Sequence, residues 1–196
     1  MAEIEIENVP GHNNATYGPV PKDAQLFDVE FLEIAPTPII ADRVFFIYLR
    51  GWMPSSKSPS AERDGIFESP CSDSGPDSDP GLTNATLKVS SSVTYPGGSS
   101  DSHASLTIPF KSMVFNDAAH LVIRDESGKQ VEYLPSVGRG DVLLDFQIPT
   151  LFLRSGVWTF GVEARLEMED GDGDGDEEGG CLFAFKLVQW LEGGLR

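Results

Sequence analysis

The sequence predicts an all-β chain folded as a two-sheet sandwich, and three observations carry that expectation. Apolar residues recur with a period of two rather than 3.6 through most strand-length windows. Those windows are rich in Val, Ile, Phe, Tyr and Trp, which pack well on a pleated surface. Pro and Gly interrupt them at short intervals, as turns between antiparallel strands require. The clearest window is "VWTFGVEARLEM". Trp158, Phe160, Val162, Ala164, Leu166 and Met168 fall on one face of a strand, and Thr159, Gly161, Glu163, Arg165 and Glu167 on the other.

Residues 1–24 read as an N-terminal arm, and residues 25–192 as a single domain. Its first strands are "AQLFDVEFLEIAP" and "DRVFFIYLRGWM", separated by "PTPIIA", whose prolines exclude a regular ladder there. Residues 54–81 are too rich in Ser, Pro, Asp and Gly to bury a core and read as a flexible insertion. Within it, Ser58-Pro59 and Ser69-Pro70 suit a proline-directed kinase. "ATLKVSSSVTY", "AHLVIRDESGKQVEYL" and "GDVLLDFQIP" add strands, with "ESGK" as a hairpin turn. The strand ending at Met168, an acidic loop at 169–180 and "CLFAFKLVQWL" make a C-terminal hairpin. Seven to nine short antiparallel strands at this spacing suit a sandwich.

The formal charge is −17, from 31 acids against 14 bases, so nucleic acid is not an expected partner and anionic membranes should repel the surface. Eight of the acids fall between Glu167 and Glu178. That tract places Asp170, Asp172, Asp174 and Gly175 as a calcium loop would, but its twelfth position is Cys181 instead of a bidentate Glu, so no metal is expected. The N-terminus lacks the apolar core of a signal peptide, and no stretch reaches the roughly 18 apolar residues of a membrane span. The expectation is a cytosolic chain without stable membrane insertion, in which Cys71 and Cys181 stay reduced and the sequons at Asn14 and Asn84 go unused. Arg139-Gly140-Asp141 spells an adhesion tripeptide and reads as a turn before a strand. Hydrolase elbows, zinc-protease helices, phosphate loops and C-x-x-C pairs are missing, so the familiar hydrolase, metalloprotease and nucleotide chemistries are disfavoured and no cofactor is expected.

Several ordered features resemble the ML-type lipid-recognition family, which includes fungal phosphatidylglycerol/phosphatidylinositol transfer proteins and the Niemann-Pick sterol carrier. They are Val9-Pro10-Gly11, Tyr17-Gly18, the strand at 25–34, the kink Ala35-Pro36-Thr37-Pro38 and a strand ending at Gly51. Near the C-terminus, "DFQIPTLFLRSGVWTFGVEARLEMEDG" and the Cys-initiated "CLFAFKLV" continue the pattern. The resemblance covers roughly residues 9–51 and 141–190. It implies an immunoglobulin-like sandwich with an intersheet apolar cavity that carries a hydrophobic small molecule such as a lipid, sterol, terpenoid or polyketide. In the family the first Cys pairs with the one opening the last strand. Here Gly18 stands at the first position, so the resemblance implies a cytosolic, disulfide-free branch.

Candidate walls for such a cavity are Phe45, Ile47 and Leu49, or their alternates Phe46 and Tyr48, with Trp158, Phe160, Val162, Phe183 and Phe185. Sequence alone does not separate a cavity wall from a filled core. The alternative is a cyclase or isomerase of fungal secondary metabolism using the same cavity. Its acid–base candidates are His103, His120, Asp125, Arg50 and Tyr48, together with Glu33.

Overall fold

A computed structural model of the chain describes residues 7–57, 81–115, 119–148, 153–167 and 180–194, with the backbone alone at 102–104. The described strands form two sheets. The first runs in the order β2 (Ala15–Tyr17), β12 (Cys181–Leu191), β11 (Gly156–Leu166), β5 (Ala85–Thr94) and β6 (Ser100–Pro109). The second runs β1 (Gly11–His12), β3 (Asp28–Ala35), β4 (Val44–Met53), β10 (Gly138–Gln147), β8 (Ala119–Asp125) and β7 (Met113–Phe115), with β9 (Gln130–Val131) also paired to β8. Every pairing is antiparallel except β1 with β3. The chain is thus the all-β, two-sheet sandwich that the period-two pattern predicts.

Some elements differ from the sequence reading. The stretch read as an N-terminal arm supplies β1 to one sheet and β2 to the other. Asn13, between them, donates to the Leu32 carbonyl at 2.9 Å and accepts from the Ala15 amide at 2.9 Å, so one side chain fixes the crossover. Gly11 takes φ +122° with its α-carbon against the Leu32 carbonyl, where a β-carbon would collide with backbone. Strand β6 was not among the expected strands, because "SDSHAS" is polar and only Leu106 and Ile108 carry the apolar alternation. As an edge strand it buries little and needs no apolar run. Arg139-Gly140-Asp141 lies inside β10 rather than in a turn, with Arg139 paired to Glu30 at 2.6 Å. The "ESGK" turn forms as expected, closed by the Gly128 amide on the Asp125 carbonyl at 2.9 Å, with Gly128 at φ +80°. Residues 58–80 of the Ser/Pro/Asp-rich insertion, with its phosphorylation candidates and Cys71, lie outside the described residues, as does the acidic loop up to residue 179.

The registers assign each strand's faces. From the second sheet, Leu32 and Ile34, then Phe45, Ile47 and Leu49, then Val142 and Leu144 face inward. Across from them are Val162, Ala164, Phe183 and Phe185 of the hairpin that the sequence predicted, with Val89 and Leu87 from β5. One end of the sandwich is tightly filled: Met53, Ile123, Leu134 and Leu182 are wholly buried. There Phe183 packs against Phe27 and edge-on against Phe110. At the other end a smaller cluster of Val93, Leu153, Trp158 and Leu191 closes the core.

The proline-rich β3–β4 connection is held by one buried side chain. Gln189 accepts from the Ile39 amide at 3.0 Å through Oε1 and donates to the Ile39 carbonyl at 3.0 Å through Nε2. It thus serves as the ladder partner that Pro36 and Pro38 deny the backbone. Replacing Gln189 with Leu keeps the volume but leaves both buried Ile39 groups unpaired. The expected loss is about 2 kcal/mol, seen in thermal unfolding as a Tm about 4–8 °C lower.

Candidate functional site

Between the tightly filled end and the Trp158 cluster the sheets do not meet, and they leave a cavity of about 490 Å³. Interiors normally hold few voids larger than a water molecule, so a space of this size is a feature of the fold rather than a packing fault. Strands of both sheets border it. The inward residues here include Val89 and Val162 from one sheet and Ile47 and Leu144 from the other, and all four border the open space. Although central in their strands, these four are only partly buried. Leu106 and Phe146 line the cavity yet are 57% and 43% exposed, which marks where it reaches solvent.

The structure sorts the expected wall residues by face. Phe45, Ile47 and Leu49 line the cavity from β4. Trp158, Phe160 and Val162 line it from β11, with the first two rings stacked at 5.9 Å. Phe183 and Phe185 line it from β12, stacked at 5.2 Å. The alternates Phe46 and Tyr48 do not line it: period-two alternation turns them to the outer face of the second sheet, where Phe46 is 49% exposed. Walls that the sequence reading did not name include Val89, Ile108, Leu144 and Phe146. Leu144 and Phe146 share the every-second-residue row of "GDVLLDFQIP" with Val142 and Ile148, but nothing in a strand's own pattern says which inward face meets a void. Among the described lining residues the polar side-chain groups are the Ser90 and Ser91 hydroxyls and the Trp158 indole N–H, which donates to the Arg154 carbonyl at 3.1 Å, and none is titratable.

Among the described residues, the expected acid–base side chains do not line the cavity. Arg50 and Tyr48 converge instead on Asp141, on the outer face. Arg50 donates through Nε at 2.9 Å and Nη2 at 3.0 Å, and the Tyr48 hydroxyl donates at 2.9 Å. The hydrogen bonds to Asp141 raise the Arg50 pKa. Burial, then the bond to Asp141, raises that of Tyr48. For Asp141 burial pushes the carboxyl up, but the bonds from Arg50 and Tyr48 and the nearby guanidinium charges more than offset it and hold it below its usual value. Glu33 sits opposite Tyr48 in the same face's register. His120 is exposed and its Nδ1 lies 2.9 Å from Asp145. Asp125 organises its own turn through Ser127 and Lys129, bonds that lower its pKa. The His103 side chain lies outside the described residues, and its backbone stands opposite Ser91.

Cys181 is a buried free thiol, pushed up to about 11 by burial, with the Glu163 charge adding to the shift and Arg165 opposing it. Gly18, which the family resemblance sets against it, donates its amide to Ala184 instead, while Leu26 donates to the Cys181 carbonyl. Among the described residues no group of three or more His, Cys, Asp or Glu is placed to hold a metal ion, and no helix is long and apolar enough to cross a membrane. No protein-family model matches the chain, and no curated protein matches it.

Two measurements follow from these environments. Because Asp141 titrates lower in the folded chain than the roughly 3.9 of an unfolded Asp, its contribution is present above that value and lost as pH falls through the folded pKa. Below about pH 4 the Tm of the native chain should therefore fall more steeply than that of Asp141→Asn, and parallel acid limbs would contradict this. In a Cys71→Ser background, Cys181 should resist a thiol reagent at pH 8 and react fully on unfolding, since at this pH it remains a buried thiol rather than a thiolate.

Proposed function

We propose that the protein binds a hydrophobic small molecule between its sheets and acts as a carrier. The observation that carries this reading is the cavity of about 490 Å³, walled by both sheets almost wholly with apolar side chains. Each 100 Å² of apolar ligand surface moved there from water contributes about 2.5 kcal/mol, so no charged anchor is required for useful affinity. The family resemblance points the same way, toward a lipid, sterol or terpenoid cargo and transfer between membranes or enzymes. The cyclase or isomerase alternative would need a group able to move a proton, and the described lining supplies none.

The test begins with organic extraction of the purified native protein for a bound apolar compound, and with titration of the neutral dye Nile red into the delipidated chain. Binding should shift the dye's emission to the blue with a Kd in the micromolar range or tighter. Val162→Trp, placed in the middle of the first sheet's inner face, should fill the cavity and weaken dye binding at least tenfold while Tm holds or rises. Unchanged affinity in that folded variant would put the ligand elsewhere.

A further inference from the structure

The inward row of β5 reads Ala85, Leu87, Val89, Ser91, Val93. Four of its five members are apolar, and the fifth lines the cavity at the position facing Phe160 in the neighbouring strand. Ser90, its neighbour, turns its hydroxyl to the other face, where it fills the space beside Gly161. With the Trp158 N–H already spent on the Arg154 carbonyl, Ser91 is the inward-row residue of the described walls whose side chain can offer a hydrogen bond to a ligand. Among the described residues no protein group bonds to the Ser91 hydroxyl. The ladder is also irregular at this point. Between Ser90 and Ser91 the register with β6 slips, so that Ser105 and His103 become consecutive partners and Ala104 is bulged out. Bulges re-aim side chains and occur beside binding sites, and a polar residue in an otherwise apolar inward row is the kind of local inconsistency that a function explains.

Resting on the carrier reading above, we infer that the cargo is a neutral amphiphile with one hydroxyl or carbonyl group, bound with that group on the Ser91 hydroxyl and its hydrocarbon body against the aromatic and aliphatic walls. The same walls select against anions. No described lining residue carries a positive charge, so a carboxylate or phosphate drawn inside would lose its hydration without a counter-ion. The net charge of −17 adds repulsion before entry. A hydroxyl serves as both donor and acceptor, so Ser91 can take either an alcohol or a ketone.

Farnesol, farnesene and farnesoic acid share one skeleton and separate these terms when used to displace Nile red from the full-length protein at pH 8. Farnesol should displace the dye about two- to tenfold more effectively than farnesene, the worth of one hydrogen bond. Ionised farnesoate should be weaker than farnesol by about a hundredfold or more. Ser91→Ala should bring farnesol down to the level of farnesene and leave farnesene unchanged, a pattern that misfolding would not produce. Farnesoate binding as well as farnesol, or a farnesol-to-farnesene ratio untouched by Ser91→Ala, would overturn the inference while the cavity remained a binding site. If Nile red and all three compounds fail to bind, the carrier reading itself falls.

Discussion

Phe183 lies edge-on to Phe110 with ring centroids 5.6 Å apart and tilted against Phe27 at 6.1 Å, and this aromatic knot pins the two sheets together. Phe27 leads into β3 of one sheet, Phe110 follows β6 of the other, and Phe183 rises from β12 between them. Aromatic rings are long enough to meet across a sandwich. Phe183 and Phe110 also line the cavity, so the knot is one of its walls, and aromatic and aliphatic side chains from both sheets continue around it.

Polar groups inside the sandwich are few and largely committed. Gln189 is spent on Ile39 and Gln25 on the carbonyls of Val20 and Ala184. The Gln25 Oε1 and the Tyr17 hydroxyl are buried without a partner among the described residues, but neither residue lines the cavity, whereas Ser91 does, so its hydroxyl has the greatest leverage on which ligand fits. The charged residues that look most like chemistry are instead used outside. Arg50, Tyr48 and Asp141 brace three adjacent positions of β4 and β10, an arrangement that stiffens the outer face without touching the cavity. The bidentate geometry makes this pair worth more than an ordinary surface ion pair, although its exposure to solvent limits that worth.

Much of this was legible residue by residue. "VWTFGVEARLEM" and "CLFAFKLVQWL" have inward faces that follow directly from alternation, because a strand's side chains change sides at every step. Phe45, Ile47 and Leu49 were as readable as Phe46 and Tyr48, but β4 is apolar on both faces, and a strand pattern without a polar side does not declare its orientation. Strand β6 escaped notice for the opposite reason, being polar enough to pass for a loop. The acid–base candidates rest on residue type, and residue type carries no information about which face of which sheet a side chain occupies.

What the amino-acid order determined by itself was the class of fold, the C-terminal hairpin and the supply of aromatic and aliphatic side chains, since these rest on local periodicity and turn chemistry. What only the tertiary structure decided was where those side chains run out. A void between sheets depends on how far facing residues from β4, β10, β11 and β5 reach toward one another, and residues separated by a hundred positions in the chain meet there only through the register of the sheets. Ser91 shows both sides of this division. Its polarity in an apolar row is written in the sequence, and its value as an anchor exists only because the opposite sheet leaves room in front of it.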